Sequence, residues 1–287
     1  APPLSWRTRE AEAAYTSEAG TDVSLQIRFF KIESVDLATG KLRVRVWWRM
    51  SWEDLRLSWN PADYGGIEEV HLHASTHVDP ETREIWLPDF TAYNLNVGLM
   101  NSLDWALATA SYNGNVYWSR QGTIEVLCRF SGLMAFPYGQ LMCPIEVGGW
   151  ALGGTYQGLQ PMSSGCAQIN DQELVSQSSY IDYALDRVTC NLTSYTYGAY
   201  GDTVWPAIRY RVYMKPNTGF YFNLMTIIPT IALTVFSFAV FFMSFQVGER
   251  LGYGVTLALT AEVSKATMAS LIPVAGELLW IELFFAM

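Results

Sequence analysis

From Val23 onward, apolar and polar residues alternate with a period of two. The runs 23–32 (VSLQIRFFKI) and 42–50 (LRVRVWWRM) flank the turn formers Ala38-Thr39-Gly40-Lys41, which predicts a β-hairpin. Shorter strand-like runs recur at 67–72, 105–110, 116–118, 123–130, 182–193 and 207–214, separated by Gly, Pro and Asn clusters. Many short strands at this spacing predict an all-β, antiparallel, immunoglobulin-like sandwich. Ahead of them, residues 4–15 (LSWRTREAEAAY) read as a short amphipathic helix with Ser5 as its N-cap.

Past residue 215 the pattern changes. Residues 216–248 carry no charged side chain, and 220–245 are almost wholly apolar. A membrane span needs about 20 such residues, so this stretch predicts a transmembrane helix, kinked near Pro229. Residues 251–272 are less apolar, holding Thr256, Thr260, Glu262, Ser264, Lys265, Thr267 and Ser270. Such a helix is poor against lipid and reasonable along an aqueous pore. The fourteen residues after Pro273 are too short to span and predict the start of a third helix, so the native chain is expected to continue. The expected division is 1–216 as an extracellular ligand-binding sandwich and 217–287 as an incomplete helical transmembrane domain.

Charge follows the same division. Residues 1–215 hold 23 acidic and 16 basic side chains, whereas 216–287 hold four and two. An acidic ectodomain rich in aromatic residues argues against nucleic acid as a partner and would concentrate cations. The start at Ala1, without Met, suits a processed, secreted-side N-terminus. Four cysteines beside a membrane span suit an oxidising compartment. Cys128 and Cys143 enclose a short segment with turn formers at Gly132, Pro137 and Gly139, and are the clearest pair. Cys166 with Cys190 follows by elimination, with two free buried thiols as the other reading. Asn191-Leu192-Thr193 is a glycosylation sequon.

No G-x-S-x-G, Walker or H-E-x-x-H pattern occurs, so no enzyme and no cofactor are expected. His71, His73 and His77 form H-x-H-x3-H, open to a zinc or proton site but more simply a surface strand.

In sequence order these features resemble the pentameric ligand-gated ion channels, the Cys-loop receptors. Trp52-Glu53-Asp54-Leu55-Arg56-Leu57-Ser58-Trp59 is similar to that family's WxDxRLxW strand signature. Trp86-Leu87-Pro88-Asp89 with Tyr93-Asn94 resembles its first binding segment, and the cysteine followed seven positions later by Trp150 its second. Gly248-Glu249-Arg250, with Leu271-Ile272-Pro273 ending 23 positions after Arg250, matches its pore helix. The departures are a fourteen-residue cysteine loop, Gly139 where Asp is usual, and no vicinal cysteine pair between 195 and 205.

The resemblance implies a small-molecule agonist bound between subunits of a pentamer, expected to be a homopentamer. Its principal wall would hold Tyr93, Trp150, Tyr197 and Trp205, with Tyr195 and Tyr200 as rivals of Tyr197. The complementary wall would hold Trp47, with Tyr117 and Ser119 as weaker candidates. Ring faces attract a cation by about 0.5–2 kcal/mol per good contact, so a cationic agonist fits such a cage. At 3.6 residues per turn Gly252, Thr256, Leu259, Val263, Ala266, Thr267 and Ser270 share one face of the pore helix. Glu249 resembles the ring of cation-selective members, passing monovalent cations, and Leu259 and Val263 resemble apolar girdles. Glu262 and Lys265 read as an ion pair at a helix interface. Coupling is expected where Asp36-Leu37-Ala38, Phe136-Pro137 and Lys215-Pro216 meet residues 273–275.

The function expected is a ligand-gated cation channel, multi-pass in the plasma membrane with its N-terminal domain outside. The alternative is a membrane-anchored or soluble pentameric binding protein without channel activity.

Overall fold

The computed structural model describes residues 21–74, 85–169, 183–201, 203–217, 223–243, 247–269 and 279–286. The amphipathic run 4–15 and His77 lie outside them. The alternation produces long strands, β1 (Thr21–Asp36) and β2 (Lys41–Glu53), paired antiparallel from Val23 with Trp52 to Asp36 with Lys41. Gly40 closes the hairpin at φ +68°, and a Cβ there would stand 2.9 Å from the Cys128 carbonyl.

Next come β3 (Glu69–Leu72), β4 (Phe90–Ala92), the short helix α1 (Leu99–Ser102), β5 (Ala108–Ser111) and β6 (Asn115–Leu127). They are followed by β7 (Leu141–Gly149), β8 (Gln157–Pro161), β9 (Ala167–Ile169), β10 (Tyr183–Thr196) and β11 (Val204–Pro216). A seven-stranded sheet runs β3-β5-β6-β2-β1-β8, with β9 also on β1. A four-stranded sheet runs β10-β11-β7-β4.

The sandwich is as expected, with local differences. Residues 116–118 and 123–130 belong to one strand, because the inward positions Val116, Trp118, Arg120, Gly122, Ile124 and Val126 keep one parity. Trp105 lies outside a strand. β1 pairs parallel with β8 and β9, so the seven-stranded sheet is not purely antiparallel. The strands β4, β7, β8 and β9 were not foreseen. Several carry Gly or Pro, which blur the alternation on which strand prediction rests. The WxDxRLxW segment is a strand end followed by a 3-10 turn (Leu55–Leu57). Asp54, 2% exposed, turns the chain there by accepting from Arg56 Nε and Nη2 at 2.8 and 2.7 Å.

The inner faces of both sheets form one core, in which Phe29, Trp48 and Tyr210 are fully buried. Phe29 meets Tyr210 across the sheets, ring centroids 6.0 Å apart. Burial alone pushes the Tyr210 phenol up, since its hydroxyl has no hydrogen-bond partner. Two disulfides tie the layers. Cys128–Cys143 joins the end of β6 to β7, with Cα atoms 5.4 Å apart, and Cys166–Cys190 joins the start of β9 to β10 at 6.2 Å. Both cysteine pairs therefore form, and the free-thiol reading of 166 and 190 is set aside.

The chain after the sandwich is helical. Asn223–Ile227 winds as a π-turn, α2 covers Ile228–Ser237, and Phe238–Phe242 tightens to 3-10. Pro229 therefore stands at the start of an α-helix rather than kinking its middle. A proline has no N–H to donate and is tolerated in a first turn. Among the described residues, Asn223–Phe242 is the one helical stretch long and apolar enough to cross a membrane, with mean hydropathy 2.2 and none of it buried. The helix α3 (Val247–Ala269) begins four residues earlier than expected, so Glu249 lies in its first turn. A last helix, α4 (Trp280–Ala286), begins where the third helix was anticipated.

Candidate functional site

Trp150 follows β7 directly and stands 72% exposed. It is nonetheless held firmly by its backbone. The Asp89 carboxylate Oδ2 accepts from the main-chain N–H groups of Trp150, Ala151 and Leu152, at 3.1 Å for the first and last. Asp89 is itself fixed by the fully buried Gln157, which accepts from the Asp89 N–H at 3.0 Å and donates to its carbonyl at 3.1 Å. A single carboxylate on three N–H groups makes a small anion nest, so the loop carrying the tryptophan is ordered while the ring stays bare.

Tyr93 follows β4 and donates to the Gly149 carbonyl at 3.0 Å. A Cβ at Gly148 would stand 2.2 Å from the Tyr93 hydroxyl, so only glycine admits the ring there. Burial, and then the neighbouring Tyr197 and Glu146, push the Tyr93 phenol up to about 12. It is a neutral donor at physiological pH. A hollow of about 520 Å³ includes Tyr93 and Trp150 in its lining, with Trp48, Met50, Leu99 and Trp118.

The hairpin β10–β11 brings the remaining rings. Tyr195 pairs in register with Trp205, and Tyr197 meets Trp205 edge-to-face at 6.1 Å. Trp205 is 8% exposed and Tyr197 47%, so the tryptophan is the support and the tyrosine the surface. Tyr195 meets Tyr197 at 6.4 Å, and its hydroxyl donates to Glu146. That bond to a carboxylate raises the Tyr195 phenol, and Arg209 closes the cluster at 2.8 Å from Tyr195 and 3.3 Å from Glu146. Tyr93, Tyr197, Trp205 and the loop of Trp150 thus come from β4, β7 and the β10–β11 hairpin of one sheet. The Tyr200 side chain lies outside the described set.

Trp47 lies on β2, in the other sheet, and its ring is covered. The Arg49 guanidinium carbon stands 4.8 Å from the ring centroid and that of Arg28 stands 6.0 Å away. Tyr117 accepts from Arg49 Nε at 2.8 Å, and Ser119 pairs in register with Arg49. No ring contact joins Trp47 to Trp150 or Tyr197, so one chain carries two separate half-sites. Residues missed in the sequence are Arg28, Arg49, Gln26 and the Glu146–Arg209 pair. The first two were visible as outward positions of the alternation beside Trp47. Gln26 and Glu146 gave no signal, because register and turn geometry select their partners.

On α3, Glu249, Gly252, Thr256, Leu259 and Val263 are all exposed, Leu259 by 64% and Val263 by 58%. Thr256 donates back to the Gly252 carbonyl at 2.9 Å. The side chain of Thr267 lies outside the described set. Tyr253 ties α3 to the preceding helix by donating to the Phe236 carbonyl at 2.8 Å. The expected Glu262–Lys265 pair is absent: no ion pair links them within 4.0 Å. Both residues are exposed there, where water offsets little of the entropy lost in holding two long side chains together. Asn191 is exposed on β10, and its side-chain oxygen accepts from Arg211 at 3.0 Å.

Between sandwich and helices, Phe136, Leu279 and Ile281 form a buried cluster with Leu37 and Leu133 packed on it. Tyr138 meets Trp280 edge-to-face at 5.5 Å and donates to Asn223. The hairpin tip and cysteine loop therefore meet the start of α4, whereas residues 273–275 lie outside the described set. Asp36 shapes the tip by accepting from Ala38 and Thr39 N–H, both at 3.0 Å; the Thr39 hydroxyl bond holds its carboxyl below the usual range. No group of three metal-binding side chains occurs among the described residues. His71 instead bonds Thr109 at 3.1 Å, and His73 stands 5.7 Å from Trp105.

A disulfide-tied sandwich with an exposed, backbone-pinned tryptophan at one edge and helices below defines a receptor-type ectodomain rather than an enzyme. Residues 7–218 match the neurotransmitter-gated ion-channel ligand-binding domain, and the chain belongs to that family, the pentameric ligand-gated ion channels. It is 26% identical over 258 residues to the acetylcholine receptor subunit beta-like 2 of Drosophila melanogaster, covering 88% of this chain and 47% of that protein. It is 23% identical over 257 residues to the neuronal acetylcholine receptor subunit non-alpha-3 of Carassius auratus, covering 90% and 51%. A similar match, 23% over 251 residues, is to the human neuronal acetylcholine receptor subunit alpha-3, covering 88% and 46%. The chain spans about half the length of the curated relatives it matches.

Proposed function

We propose that this chain forms a ligand-gated cation channel of the plasma membrane, with residues 1–216 outside the cell and 217–287 in the bilayer. Five copies form a ring, and an agonist bearing an ammonium group binds between neighbours. The observation that carries this reading is Trp150, whose ring is 72% exposed while its loop is locked by Asp89. A bare tryptophan on a fixed backbone costs solubility unless something covers it. Trp47 supports the same reading from the opposite sheet, because two half-sites on one chain are completed by head-to-tail contact, which closes into a ring.

The apolar stretch Asn223–Phe242 is the first span, and α3 lines the pore with Glu249 at its N-terminal mouth. Exposed Leu259 and Val263, repeated five times, form girdles that close by dewetting. Five Glu249 carboxylates attract cations within a constriction narrower than the Debye length of about 8 Å. Agonist movement of the sandwich reaches the helices through Phe136, Leu279 and Ile281.

Current recording from the full-length protein tests this. Glu249→Ala is expected to lose cation selectivity, read as a shift of reversal potential in a salt gradient. Leu259→Thr is expected to open at lower agonist concentration. An anion-selective wild type, or a Leu259→Thr channel with unchanged gating, would reject the pore assignment.

A further inference from the structure

We infer that the agonist carries a carboxylate as well as an ammonium, and that Arg49 and Arg28 receive its anionic end. This rests on the between-subunit site proposed above and adds the ligand's chemical class.

The outward row of β2 and its neighbours shows why. At the hairpin end every cation named has a carboxylate: Lys41 meets Glu125 at 3.7 Å, and Arg43 meets Glu33 and Glu125 at 3.8 and 3.9 Å. Around Trp47 the pattern stops. Arg28, Arg45 and Arg49 have no carboxylate within 4.0 Å among the described residues.

Arg49 is nevertheless built into place. The Gln26 side-chain oxygen accepts from its Nη1 at 2.6 Å, and the Tyr117 hydroxyl accepts from its Nε at 2.8 Å. Gln26 is fully buried and donates to Ser164 Oγ at 2.8 Å and to the Gly165 carbonyl at 2.7 Å. Those two acceptors fix the amide so that its oxygen faces Arg49. The Nη2 of Arg49 is left over. Arg28 Nε is buried without an acceptor. A hollow of about 440 Å³ lies against Arg28 and Trp47, and Asp104, Trp105, Ser119 and Gln121 also line it. Asp104 makes no ion pair with Arg28; its carbonyl accepts from Arg120 at 3.0 Å.

Covering this surface with a neighbour would bury two guanidiniums with no counter-ion, which is unfavourable. An ammonium directed at Trp47 would meet those positive charges. A carboxylate accepts two parallel N–H bonds from a guanidinium and resolves both conflicts. The rings of the opposite wall then take the ammonium. The ligand class is a small amino carboxylate.

The test is calorimetric titration of the full-length, detergent-solubilised receptor. Its probes are glycine, 3-aminopropanoate, 4-aminobutanoate, tetramethylammonium and butanoate. At least one amino carboxylate is expected to bind about tenfold or more tighter than both single-charge probes. Arg49→Gln and Arg28→Gln should each weaken it by about tenfold, the scale of a charge-assisted hydrogen bond, and leave tetramethylammonium within about twofold. Should Arg49→Gln fail to assemble, Arg28→Gln decides, since the Arg28 side chain makes no hydrogen bond to lose. Tetramethylammonium binding tightest of all, or both arginine variants binding the amino carboxylate normally, would overturn the inference. Trp150→Leu separates the two readings. Loss of binding in Trp150→Leu with none in the arginine variants removes the carboxylate and keeps the cage; the reverse removes the cage and keeps the arginines.

Discussion

Trp150 and Trp47 are two tryptophans on one sandwich, and they are presented in opposite ways. Trp150 is held entirely through its backbone, with three consecutive N–H groups on Asp89, and its ring has no partner. Trp47 sits on a regular strand, half-buried, and its ring lies under Arg49 and Arg28. One wall offers an electron-rich face and the other offers positive charge. The lesson is that residue type alone does not make a cage wall. What the neighbouring register places over a ring decides whether a ligand can use it.

Breaking the anchor of the first wall should give the largest effect. Asp89→Ala leaves three N–H groups of residues 150–152 without their shared acceptor and strands the buried Gln157. A stability loss of about 2–4 kcal/mol is expected, with a lower thermal midpoint and at least tenfold weaker agonist binding. Nothing on the Trp47 wall touches Asp89, so binding contributions from Arg49 should survive in a double-variant cycle. An unchanged midpoint would mean that the loop is held by something other than this carboxylate.

Replacing each ring in turn sharpens the contrast. Trp150→Phe weakens the ring's field while keeping an aromatic surface, so agonist affinity should fall by about 0.5–2 kcal/mol with little change in the thermal midpoint. Trp47→Phe should do the reverse. Its cation contacts are internal, so the midpoint should fall and the intrinsic affinity for a quaternary ammonium should hold. Equal affinity losses in both variants would show that both rings face the ligand, and the contrast between the walls would be wrong.

How far this was legible in the sequence differs between the two walls. The alternation from residue 23 to 50 exposed the hairpin, and with it the outward row containing Trp47 and Arg49, since a two-residue period is local information. The pairing of Cys128 with Cys143 was likewise readable from a short loop with turn formers. Strands β7 to β9 were hidden by their Gly and Pro residues, although β7 carries Cys143 and leads into Trp150. Non-local register was hidden too. Asp89 to residues 150–152, Gln26 to Arg49, and Tyr195 to Glu146 are separated by 23 to 63 positions, and no local pattern encodes which side chains will meet. The Glu262–Lys265 pair failed for the opposite reason: helical spacing permits a contact without requiring it.

The smallest effect expected is titration of Tyr93, the hydrogen-bonded ring of the first wall. Its phenol stands at about 12 against an ordinary 10.0, chiefly because burial disfavours the phenolate, with Tyr197 and Glu146 adding to the same direction. Since the folded value is raised, the stabilising contribution is complete below the unfolded value and is lost as pH rises through about 12. Across the physiological range Tyr93 therefore stays a neutral donor to Gly149, and agonist binding should show no dependence on its ionisation. A difference titration of phenolate absorbance between wild type and Tyr93→Phe reads this directly. The missing step should fall near pH 12, and a step near 10 would mean that the hydroxyl reaches water. At neutral pH the same substitution removes one hydrogen bond, costing about 1 kcal/mol. It leaves the Arg49 wall untouched, so any change in carboxylate recognition would show that the two walls communicate.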